Sequence, residues 1–264
     1  MSNKLFSTQR FSLLFKQHVM HNSQFLWLSI GAYVGVIFIV LSVLQIFNPL
    51  HRPHSLKEFQ LYLAVFFLLF GILYAGHSFP AFRLKESSIS YLMLPASALE
   101  KFTFEIVSRI GIVLVTLPLL YWITFNVQGY FFTMFTDEIF EPIGIQYLVK
   151  FKAPPAQLSL PALYFMLTGG VLLAFSLAFT GAAMFTKQPL VKTLAVLALA
   201  AIFFVGYIYI IMVPLGVSKF NPTQTLMLLP MGELRLFTTL AVSFFAGTVV
   251  MLFVAFRKLK EREV

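Results

Sequence analysis

Long apolar runs alternate with short polar stretches along the chain, and the runs have the length of membrane crossings. They cover residues 25–47, 60–78, 103–127, 161–185, 193–217 and 236–256. About 20 residues at a rise of about 1.5 Å cross a hydrocarbon core of roughly 30 Å. The pattern therefore predicts an all-α polytopic membrane protein, one membrane domain over residues 1–264 with six transmembrane helices. Residues 1–24 mix Lys4, Arg10 and Lys16 with apolar side chains, and Phe11, Phe15 and Val19 recur at i, i+4 and i+8. That spacing predicts an interfacial helix lying on the membrane surface. Residues 128–160 carry Asp137, Glu138, Glu141, Lys150, Lys152 and the pair Pro154-Pro155, the composition of a small folded excursion outside the bilayer. Residues 218–235 hold an apolar patch between Pro222 and Pro230 that is too short to cross. It reads as a re-entrant element, tolerated at membrane depth only where protein or a water-filled cavity covers it. Residues 257–264 read as a charged tail.

Two runs carry small residues at four-residue spacing. Gly31 and Gly35 leave a flat strip in the first, and Gly170, Ala174, Ala178 and Ala182 form a longer ladder in the fourth. Such strips let helix backbones approach closely, so both are expected to mark helix packing. Pro118 predicts a kink in the third run.

One polar insertion has internal design. Residues 81–109 read AFRLKESSISYLMLPASALEKFTFEIVSR. Arg83, Lys85 and Glu86 open it, and Ile89, Tyr91, Leu92 and Leu94 give a short amphipathic segment. Pro95 ends that segment because proline has no N–H to continue a helix. Ser97 with Glu100 three residues on is a capping-box pattern, which predicts the start of a second helix. Lys101, Glu105 and Arg109 then fall on one face at i, i+4 and i+8, so their charges can neutralise one another as the helix enters the bilayer.

Composition agrees with a membrane chain: 59% hydrophobic residues, 11% charged and 32 phenylalanines. With no cysteine there is no disulfide framework, thiolate metal site or cysteine nucleophile. The net charge of +9 reads as cytoplasmic loops facing anionic headgroups, not as nucleic-acid binding. Of the 19 lysines and arginines, six lie at Arg52, Lys57, Lys150, Lys152, Lys219 and Arg235. The others fall in the N-terminal segment, the 81–109 insertion, the 186–192 loop and the tail. This asymmetry predicts that both termini and the 81–102 loop face the cytoplasm. The first apolar run lacks a small-x-small cleavage pattern and reads as a span, not a signal peptide.

Candidate chemistry within the chain is sparse. Ionisable groups in membrane spans are costly and tolerated mainly for function, and the apolar runs hold almost none. Glu105 and Arg109 sit near a boundary as a mutual pair, and His77 lies at a helix end. His18 with His21, and His51 with His54, lack a third ligand and predict no metal site. A phosphate-binding loop needs G-x-x-x-x-G-K-[ST]. The nearest stretch, 181–188, has Thr186 where the second glycine belongs and Gln188 after Lys187. The chain is thus expected not to be an enzyme.

With these features in place, the chain resembles the permease subunits of ABC transporters of the type-2 export class. The most specific piece is KESSISYLMLPASALEKF: an acidic residue, a short helix, Leu-Pro, small residues, then a basic residue opening the third span. The resemblance implies that 81–102 is a cytoplasmic coupling loop. Its contact surface for an ATPase subunit would be Lys85, Glu86, Ser87, Ser88, Ile89, Tyr91, Leu92 and Met93, with Glu86 and Tyr91 as polar anchors and Leu94-Pro95 as the corner. It further implies ATP and Mg²⁺ on that partner, no cofactor in this chain, and a second permease subunit, identical or related. The place would be the bacterial inner membrane and the cargo a lipid, drug-like or polymeric molecule for export. The 128–160 excursion is long for that family. A rival reading is a non-transporting membrane scaffold that docks an assembly partner through the same loop. An intramembrane enzyme acting on lipid lacks a converging polar set.

Overall fold

A computed structural model describes residues 7–21, 23–47, 56–83, 93, 96–135, 140–149, 160–185, 187–212 and 233–263. Among these, all regular structure is helical. The helices are α1 (Thr8–His21), α2 (Ser23–Phe47), α3 (Leu56–Ala75), α4 (Ala98–Ile106), α5 (Ile112–Thr133), α6 (Leu160–Met184), α7 (Pro189–Met212) and α8 (Glu233–Glu263). A π turn, Val107–Gly111, joins α4 to α5, and short 3-10 turns occupy Pro80–Arg83 and Ile145–Leu148.

Five stretches are long and apolar enough to cross a membrane: Leu26–Phe47, Glu58–Ala75, Ala98–Thr133, Pro161–Met184 and Phe237–Arg262. This fits an integral membrane protein. The sequence pattern predicts a sixth crossing over 193–217. There the described residues supply a shorter apolar stretch, Pro189–Ala200, at the start of α7.

Several boundaries differ from the pattern. The second helix stops at Ala75, not at residue 78, because the chain turns at Gly76 and His77. The third runs on for 36 residues, Ala98–Thr133, about 54 Å at helical rise. It is longer than a roughly 30 Å core requires, and its polar first turns are the surplus. The charged C-terminal segment is helical to Glu263, since Ala255 and Leu259 are buried at i, i+4 on one face. The predicted re-entrant element lies outside the described residues except for its last three positions, which belong to α8.

Contacts divide the chain into two units, Met1–Ala153 with Leu259–Val264, and Pro154–Lys258. In the first, α5 packs on both α2 and α3. Tyr33, Ile37 and Leu41 from α2, Phe59, Leu63 and Phe66 from α3, and Tyr121 and Phe125 from α5 make the core. Lipid tails are as apolar as leucine, so association inside a membrane depends on close packing and interhelical hydrogen bonds. Both occur here. The Phe59 ring meets Phe125 edge-on at 4.9 Å, the Tyr121 hydroxyl donates to the Phe59 carbonyl at 3.1 Å, and the Tyr33 hydroxyl donates to the Leu117 carbonyl at 3.0 Å beside Pro118. Gln128 Nε2 donates to Gln45 Oε1 at 2.9 Å between two buried side chains.

Part of the excursion after α5 folds back on the same unit. Asn126 Oδ1 accepts from the Ile143 N–H at 2.9 Å, and Trp122 Nε1 donates to the Ile143 carbonyl at 2.7 Å. Phe140 lies so close to Gly129 that any β-carbon there would overlap its ring.

In the second unit α6 and α7 form an antiparallel pair. A β-carbon on Gly181 would overlap the Thr193 side chain, so the glycine sets the approach of the two helices. Gly169 faces Phe244 Cβ and the Ala241 carbonyl of α8 at 3.2 and 3.4 Å from its would-be β-carbon. The Thr180 hydroxyl oxygen lies 2.9 Å from the Met251 carbonyl of α8 and 2.7 Å from that of Ser176, so one proton serves both.

Candidate partner-docking site

The site begins with the capping box. Ser97 has extended backbone, its hydroxyl accepts from the Glu100 N–H at 3.2 Å, and its own N–H donates to Glu100 Oε2 at 2.8 Å. This satisfies donors left free at a helix start. The Glu100 side chain does more than cap its own helix. Its Oε1 accepts from the Ser7 N–H at 2.6 Å, just ahead of α1, and from the Arg10 guanidinium at 3.1 Å. The carboxylate is 0% exposed, whereas Arg10 is 41% exposed. A buried carboxylate is tolerated when charge-assisted donors surround it, and three N–H groups from two separated segments do so here.

Aromatic packing reinforces the same junction. Phe11 and Phe15 of α1 both meet the Phe104 ring edge-on at 6.3 Å. The two aromatic positions that predict an interfacial face thus both touch α4, and Phe15 is still exposed. The i, i+4 spacing brings both rings to one residue of α4.

One turn along, Glu105 and Arg109 are both buried, with Arg109 Nε 3.6 Å from Glu105 Oε2. Arg109 lies in the π turn, where the Ile112 N–H reaches back five residues to the Val107 carbonyl. Its guanidinium carbon sits 5.0 Å from the centre of the Tyr74 ring, a cation–π contact at the end of α3. Lys101, one turn before Glu105, is also buried.

Glu105 also reaches the chain that leaves α3. After Ala75 the helix ends in two successive tight turns, with the His77 N–H on the Tyr74 carbonyl and the Ser78 N–H on the Ala75 carbonyl, each at 3.1 Å. Phe79 then adopts φ 53, a left-handed conformation that costs a non-glycine residue about 1–2 kcal/mol. The Phe79 N–H donates to Glu105 Oε2 at 3.5 Å, and its ring stacks on Phe82 at 5.9 Å. The Arg262 guanidinium covers Phe82 at 4.8 Å.

The arrangement thus fixes both flanks of segment 84–96. Phe79 on the entering side hangs on Glu105, and Ser97 on the leaving side hangs on Glu100. Both carboxylates belong to one helix. Of the contact residues predicted within the segment, Lys85, Glu86, Ser87, Ser88, Ile89, Tyr91 and Leu92 lie outside the described residues, as do Leu94 and Pro95. Met93 is in a turn and is 79% exposed.

The predicted packing strips have different fates. Gly31 and Gly35 have no atom within 4 Å of a would-be β-carbon, so no described helix of this chain lies on that strip. In the ladder of α6, Ala178 and Ala182 are buried and Gly170 is 3.7 Å from Phe244, while Ala174 is half-buried. The closer approach is at Gly169, one position off the ladder. The sequence pattern also misses the reach of Glu100 to Ser7 and Arg10, because nothing local connects residues so far apart in the chain, 93 positions in the case of Ser7. Among the described residues no three histidines, aspartates or glutamates are grouped to hold a metal ion.

Comparison with known protein families, characterised proteins and solved structures gives no match.

Proposed function

We propose that the chain is the permease subunit of an ATP-driven ABC transporter of the type-2 export class, coupled through the 81–102 loop to a separate ATPase subunit. The observation that carries this reading is the double anchoring of segment 84–96. A segment whose two flanks are fixed to one helix can pass a displacement on to that helix, as packed elements do when they shift between discrete arrangements. Here both flanks are hydrogen-bonded to glutamates of α4, the helix that continues through the π turn into the membrane-crossing α5. The resemblance of KESSISYLMLPASALEKF to a coupling element adds to it.

On this reading six helices cross a bacterial inner membrane with both termini and the loop inside. Residues 218–235 form a re-entrant element on the outer side. ATP and Mg²⁺ bind the partner ATPase, and a second permease subunit completes the pathway for a lipid, drug-like or polymeric cargo. The open Gly31 and Gly35 strip offers a close approach for such a second subunit.

The test is a mild-detergent pull-down of the tagged protein, with mass spectrometry of the bound proteins and an ATPase assay on the eluate. An ATPase subunit that is lost when residues 85–93 are scrambled is the expected result. A stable complex without nucleotide hydrolysis would replace the transporter reading by the scaffold.

A further inference from the structure

Glu100 holds two parts of the chain that have no covalent reason to move together. One carboxylate oxygen takes the Ser7 N–H at 2.6 Å and Arg10 at 3.1 Å, both at the start of α1. The other takes the Ser97 N–H at 2.8 Å, where the chain enters α4. The side chain is fully buried, so water cannot replace either set of donors without the junction opening. The Phe104 ring, beneath Phe11 and Phe15, closes the apolar side of the same contact. Lifting α1 would strip the carboxylate of two of its three N–H partners outside its own helix backbone and uncover an aromatic ring. Loss of the Ser97 contact would in turn free the carboxylate from the cap that orients it toward α1.

We propose that Glu100 is a positioning residue that joins α1 and the entry to α4 into one mechanical unit, so that displacement of α1 loosens Ser97 and the chain leading into it. The functional consequence rests on the reading of residues 85–93 as a docking element: α1 then sets how firmly that element is presented to its partner. The outward side of α1, with Leu13, Lys16 and Met20 exposed, is where a displacing force would act.

The chain has no cysteine, so single-cysteine variants report one position each. Spin labels at Ser12→Cys on α1 and at Met93→Cys ahead of α4 are read by electron paramagnetic resonance on the full-length protein in detergent, without any partner. Glu100→Gln is expected to raise the mobile fraction at least twofold at both positions. Tyr121→Phe, which removes a buried hydrogen bond elsewhere in the same unit, is expected to leave both spectra unchanged. Arg10→Ala, which frees α1 alone, is expected to mobilise both labels. A Glu100→Gln spectrum unchanged at either position overturns the proposal, as does equal mobilisation by Tyr121→Phe. If Glu100→Gln does not yield a monodisperse protein, Arg10→Ala decides, and an unchanged label at either position overturns it. No partner enters these measurements, so their failure is distinct from failure of the docking reading, which the pull-down tests.

Discussion

The backbone N–H of Phe79 donates to the carboxylate of Glu105 at 3.5 Å, across 26 positions of sequence. Phe79 is a bulky residue at positive φ, and Glu105 is a buried carboxylate beside Arg109. Each has a local cost, and each supplies part of what the other needs. Burial of Phe79 against Phe82 holds the strained backbone, and the N–H it presents gives Glu105 a donor besides Arg109.

Removing one member of the buried ion pair should be worse than removing both. Glu105→Ala leaves the Arg109 guanidinium buried without its carboxylate, and breaking such pairs costs about 3–5 kcal/mol. The double variant Glu105→Ala with Arg109→Met should recover part of that loss. Thermal unfolding in detergent, compared across the two single variants and the double, checks it; single variants no less stable than the double would remove the pair from the account.

Glycine substitutions should separate used from unused strips. Gly181→Ala places a methyl into Thr193, and overpacking of this kind typically costs about 1–3 kcal/mol. Thr193→Ala in the same chain should return some of the stability, because it removes the hydroxyl and the methyl that crowd the new β-carbon. Gly31→Ala and Gly35→Ala meet nothing within 4 Å and should be neutral or stabilising by up to about 1 kcal/mol, since alanine is the better helix former. The readout is melting temperature, with subunit association measured in parallel.

At the turn into α7, Gln188 is exposed with φ 51, and its carbonyl accepts from the Lys192 N–H. Gln188→Gly relieves a left-handed conformation at little loss of contact, so it should raise stability by about 1 kcal/mol. Gln188→Val should lower it, because branching at the β-carbon makes that conformation worse. A Val variant as stable as wild type would show that the left-handed turn does not matter.

Gln45 and Gln128 should behave as a unit. Gln128→Leu leaves the Gln45 amide buried without its donor, at a cost of about 1–3 kcal/mol. Replacing both by leucine should be close to neutral, as apolar pairs of similar shape often are. A double-mutant cycle on unfolding free energy gives the coupling directly.

Helix existence is legible in this sequence because its signal is local. Apolar runs of about 20 residues announce spans, and Ser97 with Glu100 announces a helix start from four consecutive positions. Boundaries were less legible. The helix through α4 and α5 extends past its apolar run because buried partners, not lipid, receive the polar face of Glu100, Glu105 and Arg109. Phe11 and Phe15 show the same limit: the face is readable, but lipid and Phe104 are equivalent surfaces to a pattern of hydrophobicity.

By itself the sequence determined an all-helical membrane chain, the polar insertion near residues 81–109, and the charges that line one face at its end. These follow from the rise per residue, from solvation in hydrocarbon and from hydrogen bonds spanning a few positions. Only the tertiary structure decided that Glu100 reaches Ser7 and Arg10, that Glu105 holds Phe79, and that Gly169 makes the closer approach to α8 while Gly31 and Gly35 stay open among the described residues. Those contacts depend on the angle and distance at which separate helices meet. Packing fixes these through side chains far apart in sequence, and no local pattern encodes them.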